Sequence, residues 1–314
     1  TMQRAMRNLF AAGLLAVLAL TACVPSLKVQ DARRGTPAAY DGGTDTTTAA
    51  AVPWAQFHTD PFLRALIDSA LANNQELNIL LQEVEIARNE ARARKGEYLP
   101  FVGFGAAAEV DKVGEYTRNG AVEHGLDVKE DTPFPEPFTN YGLGLRATWE
   151  LDVWKKLRNA KKAAMLRYLG SIEGRNFMVT HLVAEIARSY YELMALDNQL
   201  EILRANIAIQ QDALDIVKLE KQAAKVTELA VRRFEAEVLK NQSNLYDIQQ
   251  RITETENRIN FLVGRFPQRV QRNSPTFAGL APAAVLPGVP RQLLAYRPDI
   301  RQAELALEAA KLDV

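Results

Sequence analysis

Tyr141-Gly142-Leu143-Gly144-Leu145-Arg146-Ala147-Thr148-Trp149-Glu150-Leu151-Asp152 is the stretch on which the fold turns. Its period is two. Tyr141, Leu143, Leu145, Ala147, Trp149 and Leu151 share one side, while Gly142, Gly144, Arg146, Thr148, Glu150 and Asp152 share the other. A second segment repeats the design upstream: Val102, Phe104, Ala106, Ala108 and Val110 alternate with Gly103, Gly105, Ala107 and Glu109. Strand side chains point to opposite faces in turn, so each segment reads as a strand with one greasy and one polar or empty face. Alternation over about ten residues with aromatics near the ends suits an outer-membrane barrel strand. A half-buried strand of a soluble sheet alternates in the same way, and on these strands alone the two readings stand level.

Outward from the strands the pattern becomes helical. Before them, Leu63, Leu66, Ile67 and Leu71, then Leu77, Leu80, Leu81, Val84 and Ala87, trace a helix from Pro61 that Pro100 stops. After them, no proline occurs from Trp154 to Gln222. With Val179 at heptad position a, Ile186, Leu193, Leu200, Ile207 and Leu214 follow at a, and Leu182, Ser189, Leu196, Leu203, Gln210 and Val217 take d. Every a position is apolar, the mark of a coiled coil. Gly170 and Gly174 weaken this helix, each by about 1 kcal/mol relative to alanine.

A second run has Val231, Val238, Leu245, Ile252 and Ile259 at a, with Phe234, Asn241, Ile248, Thr255 and Leu262 at d. The short break at 224–227 makes the two helices an antiparallel hairpin. Thr227 caps the returning helix and Glu228 favours its positive end. The prolines from Pro267 to Pro290 mark a loop-like linker.

The far end of the chain echoes the beginning. Leu71, Ala72, Glu76 and Leu77 align at constant offset with Leu294, Ala295, Asp299 and Ile300, and Val84, Glu85, Ala87 and Arg88 with Leu307, Glu308, Ala310 and Lys311. This reads as an internal duplication whose second copy has begun. Val314 lies inside its helical pattern, so the chain reads as ending within that copy.

At the amino end, Arg4 and Arg7 precede an apolar run from Leu9 that closes on Leu20-Thr21-Ala22-Cys23. That is an export signal with a lipoprotein cleavage site, too short for a spanning helix of about 20 residues. Cys23, the single cysteine of the chain, becomes the acylated residue. Val24 after it suits sorting to the outer membrane. The expected domains are a signal peptide (1–22), an acylated tether (23–53) and a first repeat (54–290). That repeat holds strands near 100–111 and 141–152, a helical hairpin at 154–263 and a linker at 264–290. The start of a second repeat (291–314) follows.

Composition excludes several functions. Lysine plus arginine number 38 and aspartate plus glutamate 38, so no basic field draws nucleic acid. His58, His124 and His181 lie on different elements, with no metal-ligand spacing and no CxxC motif. Nothing suggests an enzyme, a metal or a cofactor. Lys155, Lys156, Arg158, Lys161 and Lys162 form a basic collar where strand gives way to helix. It is read first as a solvated collar and second as a ring near lipid headgroups.

Several ordered motifs carry a family resemblance. They are the lipobox at 20–23, the Leu143–Trp154 stretch, Leu182-Val183-Ala184-Glu185-Ile186-Ala187-Arg188-Ser189-Tyr190-Tyr191-Glu192-Leu193, Val226-Thr227-Glu228-Leu229 and Tyr296-Arg297-Pro298-Asp299-Ile300-Arg301. In these the chain resembles the outer membrane factors of Gram-negative tripartite efflux systems, the lipidated OprM/NodT-like branch of the TolC superfamily. The resemblance implies a mainly α fold with membrane β-strands, a TolC-like trimeric α/β-barrel in which each protomer gives four strands from two repeats. It also implies a homotrimer, a periplasmic adaptor, an inner-membrane pump of the resistance-nodulation-division (RND) type and outer-membrane lipid as partners. Gly142, Gly144, Arg146, Thr148 and Glu150 then line the lumen, and Tyr141, Leu143, Leu145 and Trp149 face lipid. Val226, Thr227, Glu228 and Leu229 form the adaptor-docking tip, although the turn lacks the glycine common in the family. Two strands per copy make only six in a trimer, below the eight of the smallest barrels. A periplasmic adaptor and a structural coiled-coil lipoprotein are the alternatives.

Overall fold

The computed structural model describes residues 35–40, 46–281, 286 and 288–313. The signal sequence and Cys23 lie outside the described residues. A short helix, α1 (Trp54–Phe57), leads to α2 (Pro61–Asn73) and α3 (Gln75–Glu97). Strand β1 (Phe101–Asp111) follows, then an excursion through α4 (Arg118–Gly125), β2 (Asp127–Lys129) and β3 (Thr132–Pro133). The chain returns in β4 (Phe138–Thr148) and continues in α5 (Lys156–Gln222), α6 (Glu228–Val263), α7 (Pro290–Tyr296) and α8 (Pro298–Leu312).

The helix expected from Pro61 to Pro100 is two helices. Asp60 starts the first, its Oδ1 accepting from the amides of Phe62 and Leu63 at 2.8 and 3.3 Å. Asn74 breaks the run with ψ 126° and caps the second, accepting from the Leu77 amide at 2.9 Å. The terminal helix is divided at the corresponding place. Arg297, aligned with Asn74, has ψ 115° and separates α7 from α8, with Pro298 fitting the first turn. One helix was expected from Leu294 onward; the extended residue before a proline divides it.

The long helix α5 has 67 residues and spans about 100 Å. Its a and d side chains are buried or half-buried throughout. Those of α6 are too, apart from Phe234, which is 38% exposed. The two helices pack as the antiparallel hairpin that the short break implies. Gly170 and Gly174 stay helical and leave room for α8. A Cβ at Gly170 would lie 3.9 Å from the Gln302 carbonyl oxygen, and one at Gly174 would lie 2.9 Å from Gln302 Nε2.

The core lies where α2 crosses α5 and the end of α6. Leu63, Ile67 and Ala70 meet Ile186, Tyr190, Leu193 and Met194, with Ile259 and Val263 closing the cluster. At about 25 cal/mol per Å² of apolar surface removed from water, this cluster is the main force fixing α2 to the hairpin. Tyr190 adds a directional bond, its hydroxyl donating to Asp60 Oδ2 at 2.9 Å. The end of α6 meets the start of α3. Gly264 turns there at φ 76°, where a Cβ would sit 2.4 Å from the Asn73 carbonyl oxygen, and Asn74 Nδ2 donates to the Leu262 carbonyl at 2.9 Å. Helices α6 and α3 therefore follow one another along the side of α5, while α8 packs on α5 separately.

Candidate functional site

The two long strands pair with each other in antiparallel register from Phe101↔Thr148 to Asp111↔Phe138. This register sets like on like. Phe104 opposes Leu145, Ala106 opposes Leu143 and Ala108 opposes Tyr141 on one face; Gly103 opposes Arg146, Gly105 opposes Gly144 and Ala107 opposes Gly142 on the other. Slipping one strand by a single residue would set glycine against leucine all along the ribbon. Within this chain neither face is covered. Tyr141, Leu143 and Leu145 are 77, 79 and 78% exposed. A lone two-stranded ribbon of this length is marginal in water, so a second medium or further strands must cover the apolar face.

The sequence placed the end of this ribbon too late. Strand β4 starts at Phe138 and stops at Thr148. Of the lumen set, Gly142, Gly144, Arg146 and Thr148 lie on the paired strand, while Glu150 lies beyond it and faces Lys156 Nζ at 3.9 Å. Of the lipid set, Tyr141, Leu143 and Leu145 are on the strand. Trp149 is past its end, and its indole donates to the Tyr98 carbonyl at 3.3 Å.

Asp152, which the alternation put on the polar side of the strand, lies beyond its end at Thr148 for a physical reason. At φ 46° it turns its carboxylate onto the start of α5, accepting from the amides of Leu157 at 2.9 Å and Arg158 at 3.1 Å and from Arg158 Nε at 3.1 Å. Burial alone would raise its pKa. The two amides and the guanidinium outweigh that and hold the carboxyl below the usual aspartate range. A carboxylate before a run of basic residues was the available signal. Strand alternation hid it.

The opposite end of the molecule is the turn between α5 and α6. Its backbone is a Schellman closure: the Lys225 amide bonds the Glu220 carbonyl and the Ala224 amide bonds the Lys221 carbonyl, both at 2.9 Å. Alanine fills the left-handed position at Ala224 with φ 56°. Val226 is half-buried, whereas Thr227, Glu228 and Leu229 are exposed, Leu229 at 78%. Thr227 occupies the cap position, but its hydroxyl makes no capping bond. The start of α6 is held by charge instead. Glu228 pairs with Lys221 across the turn and with Arg232 Nε at 2.9 Å.

The arrangement is thus an uncovered two-stranded ribbon at one end of a helix about 100 Å long, with an exposed turn at the other. Among the described residues no set of three or more His, Cys, Asp or Glu could hold a metal. No described helix is long and apolar enough to cross a membrane.

Solved structures with this architecture include outer-membrane channels. The open-state MtrE outer membrane channel of Neisseria gonorrhoeae superposes with a TM-score of 0.74 at 20% identity, over 91% of this chain and 61% of that one. A CusC structure gives 0.72 at 22% identity, over 92% and 62%. The chain therefore shares the fold of these structures, mainly helical with few strands.

The sequence defines the family. Residues 66–265 match the outer membrane efflux protein family, and the chain belongs to it. That membership puts the chain in the outer membrane. The solvent efflux pump outer membrane protein SrpC of Pseudomonas putida is 30% identical over 279 residues, covering 88% of this chain and 57% of the relative. The toluene efflux pump outer membrane protein TtgF of P. putida is 29% identical over 272 residues, covering 85% and 53%. The cation efflux system protein CusC of Escherichia coli K12 is 24% identical, covering 83% and 53%. The chain thus spans little more than half the length of the curated relatives it matches. These relatives are named for efflux and not for an enzymatic activity.

Proposed function

We propose that this protein is the outer-membrane channel component of a tripartite efflux system, a passive and non-enzymatic conduit for small molecules leaving the periplasm. The ribbon contributes to a barrel closed by three copies. Its glycine-bearing side, with Gly142, Gly144, Arg146 and Thr148, faces water, and Tyr141, Leu143 and Leu145 face hydrocarbon. The helical hairpin continues the path through the periplasm. Its turn, Val226 to Leu229, docks a periplasmic adaptor that joins an inner-membrane pump, and that pump supplies the energy. Acylation of Cys23 anchors the amino end to the same membrane.

One observation carries this reading: the register lays apolar on apolar and glycine on glycine, leaving both sides of the ribbon exposed. Neither a soluble adaptor nor a structural coiled-coil lipoprotein has use for an uncovered face of that kind. Spin labels at Leu145 and Arg146 of the liposome-inserted protein test it. Position 145 should favour oxygen and position 146 a water-soluble nickel relaxer. Equal accessibility at the two positions overturns the proposal.

A further inference from the structure

Between α3 and the first turns of α5 runs a groove of about 490 Å³ rimmed by cations. Arg88, Arg92 and Lys95 stand on one bank, with Arg158, Lys161 and Lys162 on the other. Arg88 is engaged by Glu85 and Arg158 by Asp152. Arg92, Lys95, Lys161 and Lys162 have no ion-pair partner among the described residues. The floor is carbon, formed by Ala91, Met165 and Tyr168 beneath the aliphatic stems of the basic residues. Four like charges gathered over an apolar floor repel one another. They also attract an anion more strongly than they would in open water.

Position narrows the choice of anion. Lys95 stands two residues before the end of α3, and β1 begins at Phe101; Arg158 lies in the first turn of α5, just beyond β4. Trp149 donates to the Tyr98 carbonyl, Arg158 lies 5.6 Å over the Tyr98 ring, and Trp149 and Trp154 are 58 and 77% exposed. Exposed tryptophan and tyrosine at strand ends mark the headgroup zone of a bilayer. The groove also opens on a definite side. In the heptad of α5, Lys162 holds the position of Val183, Tyr190 and Asp197. Lower down, that position meets α2 and the segment around Arg272. A conduit with α2 stacked inside it would be filled, so α2 marks the outer side.

We infer that this groove is a binding site for an anionic phospholipid of the periplasmic leaflet. The lipid phosphate sits among Arg92, Lys95, Lys161 and Lys162, its glycerol portion rests on Met165 and Tyr168, and its acyl chains leave past Tyr98 toward the ribbon. The inference rests on the membrane-ribbon reading above and adds a lipid class to it.

The test uses the protein in neutral detergent with equimolar dioleoylphosphatidylglycerol and dioleoylphosphatidylcholine, with retained lipid counted by native mass spectrometry. The wild type should retain the glycerol lipid preferentially. Lys161→Glu/Lys162→Glu should cut that preference by roughly fivefold per charge changed. Lys218→Glu/Lys240→Glu, at positions far along the hairpin from the groove, should keep it. If the first variant fails to fold by circular dichroism, Lys161→Gln/Lys162→Gln replaces it. Unchanged preference in the groove variant, or none in the wild type, overturns the inference. So does equal thermal stabilisation by inorganic phosphate without lipid, which assigns the groove to free anions. The Leu145 and Arg146 labels are read in the same variant: their contrast persists if only the lipid site is wrong and vanishes if the ribbon reading has failed.

Discussion

Asn241 Nδ2 donates to Gln210 Oε1 across the helical hairpin at 2.7 Å. Both residues occupy d positions, so the two polar interruptions of the seam face each other. Pairing them gives each amide a partner in the seam and penalises registers that would set either against leucine. Asn241→Leu alone should cost about 1–2 kcal/mol, because Gln210 is then left half-buried without its partner. Gln210→Leu/Asn241→Leu should recover most of that loss. Denaturant midpoints of Asn241→Leu, Gln210→Leu and the double variant check this; a double variant whose loss equals the sum of the two single losses refutes the pairing.

The turn at the end of α5 carries a removable strain. Ala224 sits at φ 56°, a region that costs an L-residue about 1–2 kcal/mol and glycine almost nothing. Ala224→Gly should stabilise the turn by about 1 kcal/mol, and Ala224→Val should loosen it. Hydrogen exchange at the Ala224 and Lys225 amides, whose bonds close the turn, should slow in the first variant and quicken in the second.

Arg272 clamps the linker to the hairpin. Its guanidinium, only 8% exposed, bonds both Asp197 and Glu256, and its Nη1 also donates to the Val270 carbonyl at 2.8 Å. Burial would raise the Asp197 pKa, but the bonds from Arg272 and Ser274 prevail and lower it. Arg272→Leu leaves two carboxylates facing each other in a half-dry site and should cost about 3–5 kcal/mol. Thermal melts would show a large downward shift, reduced in Asp197→Asn/Arg272→Leu.

Acid should act through Asp152 as well. Its folded pKa lies below that of the unfolded chain, ordinarily about 3.9. Its stabilising effect is therefore complete above that range and is lost as pH falls through the lowered folded value. Asp152→Asn should be less stable than wild type at pH 7, with the gap narrowing as pH falls below the ordinary aspartate range. Melting temperatures across that range decide it, and a gap independent of pH excludes the charge.

Much of this architecture could be read from residue order. Period two at 102–110 and 141–148, and period seven over 179–217 and again over 231–262, exist along the chain, and each permits one backbone. The faces of the strands were legible because β4 pairs with β1 so that each face keeps its own character. Helix breaks were less so. Nothing periodic marks Asn74, which caps the next helix through the Leu77 amide, and its second bond, to the Leu262 carbonyl, belongs to the tertiary structure.

The candidate site divides the same way. Leu145 and Arg146 could be assigned to opposite faces without coordinates, since adjacent side chains on a strand must diverge. The alternation could not reveal that Asp152 has left the strand, because capping depends on where α5 begins. Nor could it show four unpaired cations over Met165 and Tyr168. Arg92 and Lys95 are more than sixty residues from Lys161 and Lys162, and only the packing of α3 against α5 makes them neighbours. Local pattern thus determined the elements and their faces, because dihedral preference and side-chain period act over a few residues. Tertiary structure alone decided which charges share a groove, because that follows from contacts between distant segments.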